Sequence, residues 1–278
     1  MSESTWWTQG GSSVRRRSTT ILSVLAVATT LTACSDAEPS AHDDVASLSS
    51  ATREAMADAG SARLEFAFST GDEPTSTGRC LTTVPDSADE SAGTDFDFDC
   101  VFAGHGRESR FIAANDFLYV EVPPDQLEAD QRPWLRVDPT TADPLGAQFG
   151  GLHQQAARSA SLADALPAAA EITAAEPDTV GDVAVYRYEL SIDVAEALEA
   201  DTDEVGAAAY EALSAAGVTT VQAEVWVDAD DLPLRQAVEF EMPEAGLVRT
   251  ETDFSLWGEA HEVEVPPSDQ LSERVPTG

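Results

Sequence analysis

Lysine is absent from all 278 residues, so arginine alone supplies the 15 basic side chains that face 51 acids. A chain with a net charge of −36 has no cationic surface to offer to phosphates, which excludes nucleic acid as a partner. The same deficit argues against lying flat on an anionic bilayer, a role that draws on basic residues. Cysteine is scarce, with three residues, and none is spaced as CxxC. No apolar run reaches the roughly 20 residues that a permanent membrane-crossing helix needs. Also missing are a G-x-S-x-G nucleophile elbow, a P-loop and a dinucleotide fingerprint. His42, His105, His153 and His261 stand in unlike contexts, and no two have metal-ligand spacing. With so many acids, accidental carboxylate pairs are certain, and nothing singles one out. We therefore assign no catalytic residue, no metal site and no cofactor, and expect a protein that is not an enzyme. A hydrolase with an unrecognised site is the remaining enzyme hypothesis.

What is present begins with an address. Arg15, Arg16 and Arg17 precede the apolar run Ile21–Ala33, which ends at Cys34. A positive cluster, a short apolar region and a small residue before a cleavage point describe a secretory signal. Leu31-Thr32-Ala33-Cys34 looks like the bacterial lipobox, in which cleavage before the cysteine follows attachment of a diacylglycerol. The expectation is a signal peptide over 1–33, a lipidated tether over 34–43 beginning at Cys34, and anchoring at the extracytoplasmic face of the cell membrane. The arginines do not decide between general and twin-arginine export. Lipidation of Cys34 leaves Cys80 and Cys100, both in strand-like stretches and in a compartment where disulfides persist. A bridge between them is favoured over two free thiols or a redox pair.

The remaining length fits one domain, expected over 44–270, with 271–278 as a C-terminal tail. Val45, Leu48, Thr52, Ala55, Met56 and Ala59 recur at helical spacing between Asp43 or Asp44 and Gly60. Leu64, Phe66 and Phe68 then alternate with Arg63, Glu65 and Ala67 as in a half-buried strand. Phe96, Phe98, Cys100 and Phe102 alternate with Asp95, Asp97, Asp99 and Val101, and the three carboxylates suit a wet sheet face better than a cation site. From Asp143 to Ala170 the composition predicts helices, roughly over 145–158 and 162–166. A long strand or hairpin is expected over 178–193 and an acidic helical segment over 194–216, with Asp201 and Glu204 as a capping box. A meander follows, in which Val221, Ala223, Val225 and Val227 oppose Gln222, Glu224, Trp226 and Asp228. Asp228-Ala229-Asp230-Asp231 lacks the glycine and distal glutamate of an EF-hand loop and suits a hairpin turn.

Several segments carry a family resemblance in their order. They are Pro133-Trp134-Leu135-Arg136-Val137-Asp138, Val180-Gly181-Asp182-Val183 leading to Tyr186-Arg187-Tyr188, and Val225-Trp226-Val227-Asp228 through Leu234-Arg235. Leu256-Trp257-Gly258 before Val263-Glu264-Val265-Pro266-Pro267 completes the series. With the lipobox and the first helix, this pattern resembles the LolA-like lipoproteins of the actinobacterial LppX/LprG type, over roughly residues 43–270. The resemblance implies an α+β fold, a LolA-like open antiparallel β half-barrel with helices covering its concave face. It also implies that acyl chains of lipids or lipoglycans are held between sheet and helices and moved across the envelope. The acidic segment 194–216 and the cysteine pair depart from that pattern. No binding residue carries over one to one; the candidates come from the alternation itself: Leu64, Phe66, Phe68, Leu118, Val120, Val225, Val238, Phe240 and Phe254. The alternative is a lipoprotein with a packed core that binds an envelope protein partner or senses the envelope.

Overall fold

Helix α1 spans Val45–Ala59, and both of its ends are set by single residues. The Asp44 carboxylate accepts the Ser47 N–H at 2.7 Å, which satisfies one of the helix's unpaired N-terminal donors. Gly60 stops the helix at φ +73°, its N–H bonded to the Met56 carbonyl. The computed structural model describes residues 39–71, 73–83, 97–104, 106–127, 131–138, 169–200, 204–243 and 245–272. The expected signal peptide, Cys34 and the helices expected over 145–158 and 162–166 lie outside the described residues.

The rest is organised by one 12-stranded sheet. Its strands are β1 (Ser61–Thr70), β2 (Glu73–Thr83), β3 (Phe98–Gly104), β4 (Arg107–Ala114), β5 (Phe117–Glu121) and β6 (Trp134–Val137), followed by β7 (Ala170–Val180), β8 (Val183–Asp193), β9 (Thr220–Val227), β10 (Pro233–Met242), β11 (Gly246–Ser255) and β12 (Leu271–Ser272). The order β12-β6-β5-β4-β3-β2-β1-β11-β10-β9-β8-β7 leaves the sheet open, with β12 and β7 as its edges. Two hairpin meanders therefore meet where β1 pairs with β11. Pairing is antiparallel except between β12 and β6, which run parallel.

Register fixes two unlike faces, because side chains along a strand alternate with a period of two. Phe254, Leu64, Cys80, Cys100, Phe111 and Val120 stand opposite one another across six strands. One residue along, Arg235, Asp253, Glu65, Arg79, Val101 and Arg110 line up on the other face. The first is an apolar face and the second a charged one.

Helices pack on the β8–β10 part of the apolar face. Val45, Leu48 and Met56 of α1 join Tyr188, Leu190, Ala223 and Val225 in one core cluster. Beyond it, α2 (Val194–Glu199) is capped by Asp193, whose carboxylate accepts the N–H groups of Ala195 and Glu196. Helix α3 (Glu204–Ala215) follows, and Val194, Ala197, Tyr210 and Leu213 pack with Ile192 and Val221. The capping-box residue Asp201 lies outside the described residues. On the charged face, the stretch after β11 crosses back so that Val263 and Leu271 cover Ile112, Tyr119 and Trp134.

One expectation needs correction. Composition placed helices roughly over 145–158 and 162–166 and began the next strand at Asp178, but β7 already starts at Ala170. Its alanines, glutamates and Pro177 are poor strand formers that an edge position tolerates, since one side of an edge strand forms no ladder.

Candidate functional site

Two of the clusters on the apolar face are joined by one tryptophan. Leu64, Cys80, Phe98, Cys100, Leu118, Val120, Leu135 and Phe254 form the core on the β1–β6 side. Trp257 packs against both this cluster and the one beneath α1. Its ring stacks on Phe254 with centroids 5.8 Å apart, and its indole N–H donates to the Pro233 carbonyl at 2.9 Å. Cys80 and Cys100, directly opposite across β2 and β3 with Cα atoms 4.1 Å apart, are joined by a disulfide. The bridge closes a loop over a sequence separation of 20, worth about 3 kcal/mol in the chain-entropy model.

The nine apolar positions singled out from alternation divide into two groups. Leu64, Leu118, Val120, Val225 and Phe254 are at most 8% exposed and belong to the packed clusters. Phe66, Val238 and Phe240 are only partly buried, and Phe68 is 36% exposed. The partly buried group extends through two aromatics that alternation did not single out as site residues, Phe102 and Phe111. Phe66 meets Phe102 edge to face at 5.2 Å, and Phe102 meets Phe111 at 5.5 Å and 84°. The signal for Phe102 was one of register: it stands opposite Gly78, as Phe66 does from the other side. Gly78 leaves the space into which the Phe66 ring falls. A strip of half-exposed aromatic surface thus runs over β1, β3 and β4, beside the disulfide.

The end of the expected tether is not free. His42 donates its backbone N–H to the Tyr188 hydroxyl at 2.8 Å, and its Nε2 lies 2.8 Å from Asp231 Oδ1. Tyr188 is fully buried, and burial pushes its phenol above the ordinary value. Asp231 belongs to the expected hairpin turn, where Asp228 Oδ1 accepts the N–H groups of Asp230 and Leu232. Burial raises the Asp228 carboxyl against the lowering effect of those two bonds.

The charged face is laced by arginine–carboxylate pairs. Arg110 reaches Asp99 at 2.6 Å and Arg235 reaches Asp253 at 2.7 Å. Arg249 lies between Glu239 and Glu251, and Arg187 among Glu176, Glu189 and Glu224. Each of these guanidiniums is held above its usual range, and for Arg110 and Arg235 the hydrogen bond to the acid is the main cause. Cavities of about 670 Å³ and 620 Å³ open on this face. Among the described residues, no group of three or more His, Cys, Asp or Glu could hold a metal ion. His105 and His153 lie outside the described residues. Among the described residues, no helix is long and apolar enough to cross a membrane.

No family model matches the chain, and no curated protein sequence matches it. Solved structures do. LprF from Mycobacterium bovis is similar at 11% identity and a TM-score of 0.48, covering 82% of this chain and 99% of LprF. The lipoprotein LppX from Mycobacterium tuberculosis aligns at 11% identity and 0.44, over 79% of this chain and 99% of LppX. A LolA superfamily protein from Nitrosomonas europaea gives 10% identity and 0.29, over 82% and 97%.

Proposed function

We propose that this chain is an exported lipoprotein, anchored through Cys34, that binds the acyl chains of a lipid or lipoglycan on the apolar face of its sheet. The observation that carries the proposal is the half-exposed aromatic strip of Phe66, Phe102 and Phe111, continued by Phe68. Large aromatics left partly open on a sheet face that is otherwise core offer hydrocarbon a surface at no packing cost. Each CH₂ moved from water onto such a surface gains up to about 0.8 kcal/mol. In this reading the apolar face is the concave one, the helices line the ligand's space, and the role is binding and carriage without catalysis.

A second reading is favoured by the deep burial of Leu64, Leu118, Val120, Val225 and Phe254. Side chains that close-packed stabilise a core and are not available to a ligand. The protein would then bind an envelope protein partner instead. Lipid extraction followed by mass spectrometry separates the two. Wild-type chain and a Cys34→Ser variant are purified in parallel, so that the covalent lipid is absent from one of them. Lipid recovered from both supports the carrier; a Cys34→Ser preparation without lipid leaves the packed-core reading.

A further inference from the structure

Arg79 and Glu108 depart from the pattern of the charged face, on which Arg63, Arg110, Arg187, Arg235 and Arg249 all hold a carboxylate. Glu65, the cross-strand neighbour of Arg79, is engaged by Arg63 at 3.1 Å. Arg79 therefore has no ion pair among the described residues. Glu108 stands opposite Ala103 and is likewise without a partner among them. Both side chains are exposed. Both also line each of the two cavities, together with Arg63 and Val101. The cavities therefore share a wall, forming one trough that runs from β11 across β1 to β4. Ala67, Thr77 and Ala103 line its 670 Å³ part and are small enough to leave the sheet surface open there.

We propose that this trough binds a short peptide with free termini, its carboxylate on Arg79 and its ammonium on Glu108. Three considerations select that ligand. A simple anion would enter the field of a chain with net charge −36, whereas a net-neutral dipolar ligand is not repelled. A guanidinium and a carboxylate each form their strongest hydrogen bonds with a charged group of opposite sign, and the trough offers one of each. The spacing then sets the length. Arg79 and Glu108 lie two strands apart and are offset by two residues, through Val101 and Ala103. Strands about 4.8 Å apart and a rise of about 3.4 Å per residue put their Cα atoms on the order of 12 Å apart. With both side chains standing upright from the sheet the charged ends keep that spacing, and an extended chain of two to four residues, at about 3.4 Å each, spans it without the two side chains having to lean together as a free amino acid would require. The site lies on the opposite face from the aromatic strip and does not depend on lipid binding.

The test is titration calorimetry of the purified full-length chain with trialanine, alanine and N-acetyl-trialanine amide. Trialanine is expected to bind, and the other two at least about tenfold more weakly, since each lacks the span or the charges. Arg79→Gln and Glu108→Gln should each weaken trialanine by a similar factor without lowering Tm, because both side chains are exposed. Arg107→Gln, outside the trough, should leave binding unchanged. Absence of trialanine binding, equal binding of the capped peptide, or full-strength binding by the Arg79 and Glu108 variants would each overturn the assignment. Lipid recovered from the same preparations reports on the apolar face separately.

Discussion

The ring of Phe66 fills the space that a side chain at Gly78 would occupy: a Cβ built there would lie 2.1 Å from Phe66 Cζ. The two residues are cross-strand partners on the apolar face, so glycine on β2 and the ring on β1 form one unit. Two effects of opposite sign compete in Gly78→Ala. Alanine is intrinsically better than glycine in a strand by roughly 0.5–1 kcal/mol. Displacing the ring disturbs its contact with Phe102, and overpacking of this kind costs about 1–3 kcal/mol. We expect net destabilisation, measured as a lower urea midpoint. In a Phe66→Ala background the same substitution should become neutral or stabilising. A cost that persists there would show that the ring is not its cause.

Phe68 offers the cleanest separation of stability from ligand binding. At 36% exposure it contributes little to the core. Phe68→Ser should therefore change unfolding free energy by no more than about 1 kcal/mol. If hydrocarbon covers the strip, the same change should lower the amount of lipid recovered per mole of protein. Undiminished lipid with unchanged stability would place the ligand elsewhere.

The contact of Tyr188 with His42 gives a local prediction. The phenol accepts the His42 N–H and donates to the Ser40 carbonyl at 3.4 Å, so it ties the incoming chain to β8. Tyr188→Phe keeps the ring in its cluster and removes only the hydroxyl. Losing such a bond costs about 0.5–1.5 kcal/mol. The expected readout is faster hydrogen exchange at the His42 amide, with protection in β9 and β10 unchanged. Uniform loss of protection across the sheet would mean that the hydroxyl supports the whole core.

Much of this architecture could be read from local periodicity. The spacing of Leu48, Thr52 and Met56 between Asp44 and Gly60 specified α1, and the alternation through Val221–Val227 and Leu234–Met242 specified β9 and β10. The pairing of Cys80 with Cys100 followed from their place in neighbouring strand-like stretches. Strand β7 was hidden because alanine and glutamate suit helices, and only its place at the sheet edge makes a strand of it. Periodicity assigned Leu64 and Phe68 to one face but not their burial, which depends on which helix or strand covers each end. The tie between His42 and Tyr188 joins residues 146 apart and leaves no local mark. Arg79 and Glu108 look like any solvated charges until the register shows which acids are already taken.

Reduction tests the disulfide's contribution. Cys80 and Cys100 are 8% and 1% exposed within the β1–β6 core. A Cys80→Ala, Cys100→Ala variant should lose about 3 kcal/mol of unfolding free energy. It should also become indifferent to reducing agent, whereas the wild type should shift toward it on reduction. Equal urea midpoints for the variant and the oxidised wild type would show that the bridge adds nothing to the packing around it.

Asp228 and Asp44 should leave opposite marks on stability as a function of pH. Burial raises the Asp228 carboxyl above 3.8, so the folded chain holds this proton to higher pH than the unfolded chain does. Its effect on stability is therefore most favourable in acid and declines as pH rises through the raised value. Asp44 is lowered by its hydrogen bonds to Ser47, so its contribution is complete above 3.8 and is lost as pH falls through the lowered value. Asparagine at 228 can still accept both turn N–H bonds but carries no charge to bury. Asp228→Asn should therefore be slightly more stable than wild type at neutral pH, with the difference vanishing below the normal carboxylate range. Asp44→Ala should be less stable at neutral pH, its deficit shrinking in acid. Thermal melts of both variants across that range check the signs, and a deficit for Asp228→Asn at neutral pH would show that the two turn bonds outweigh the cost of burial.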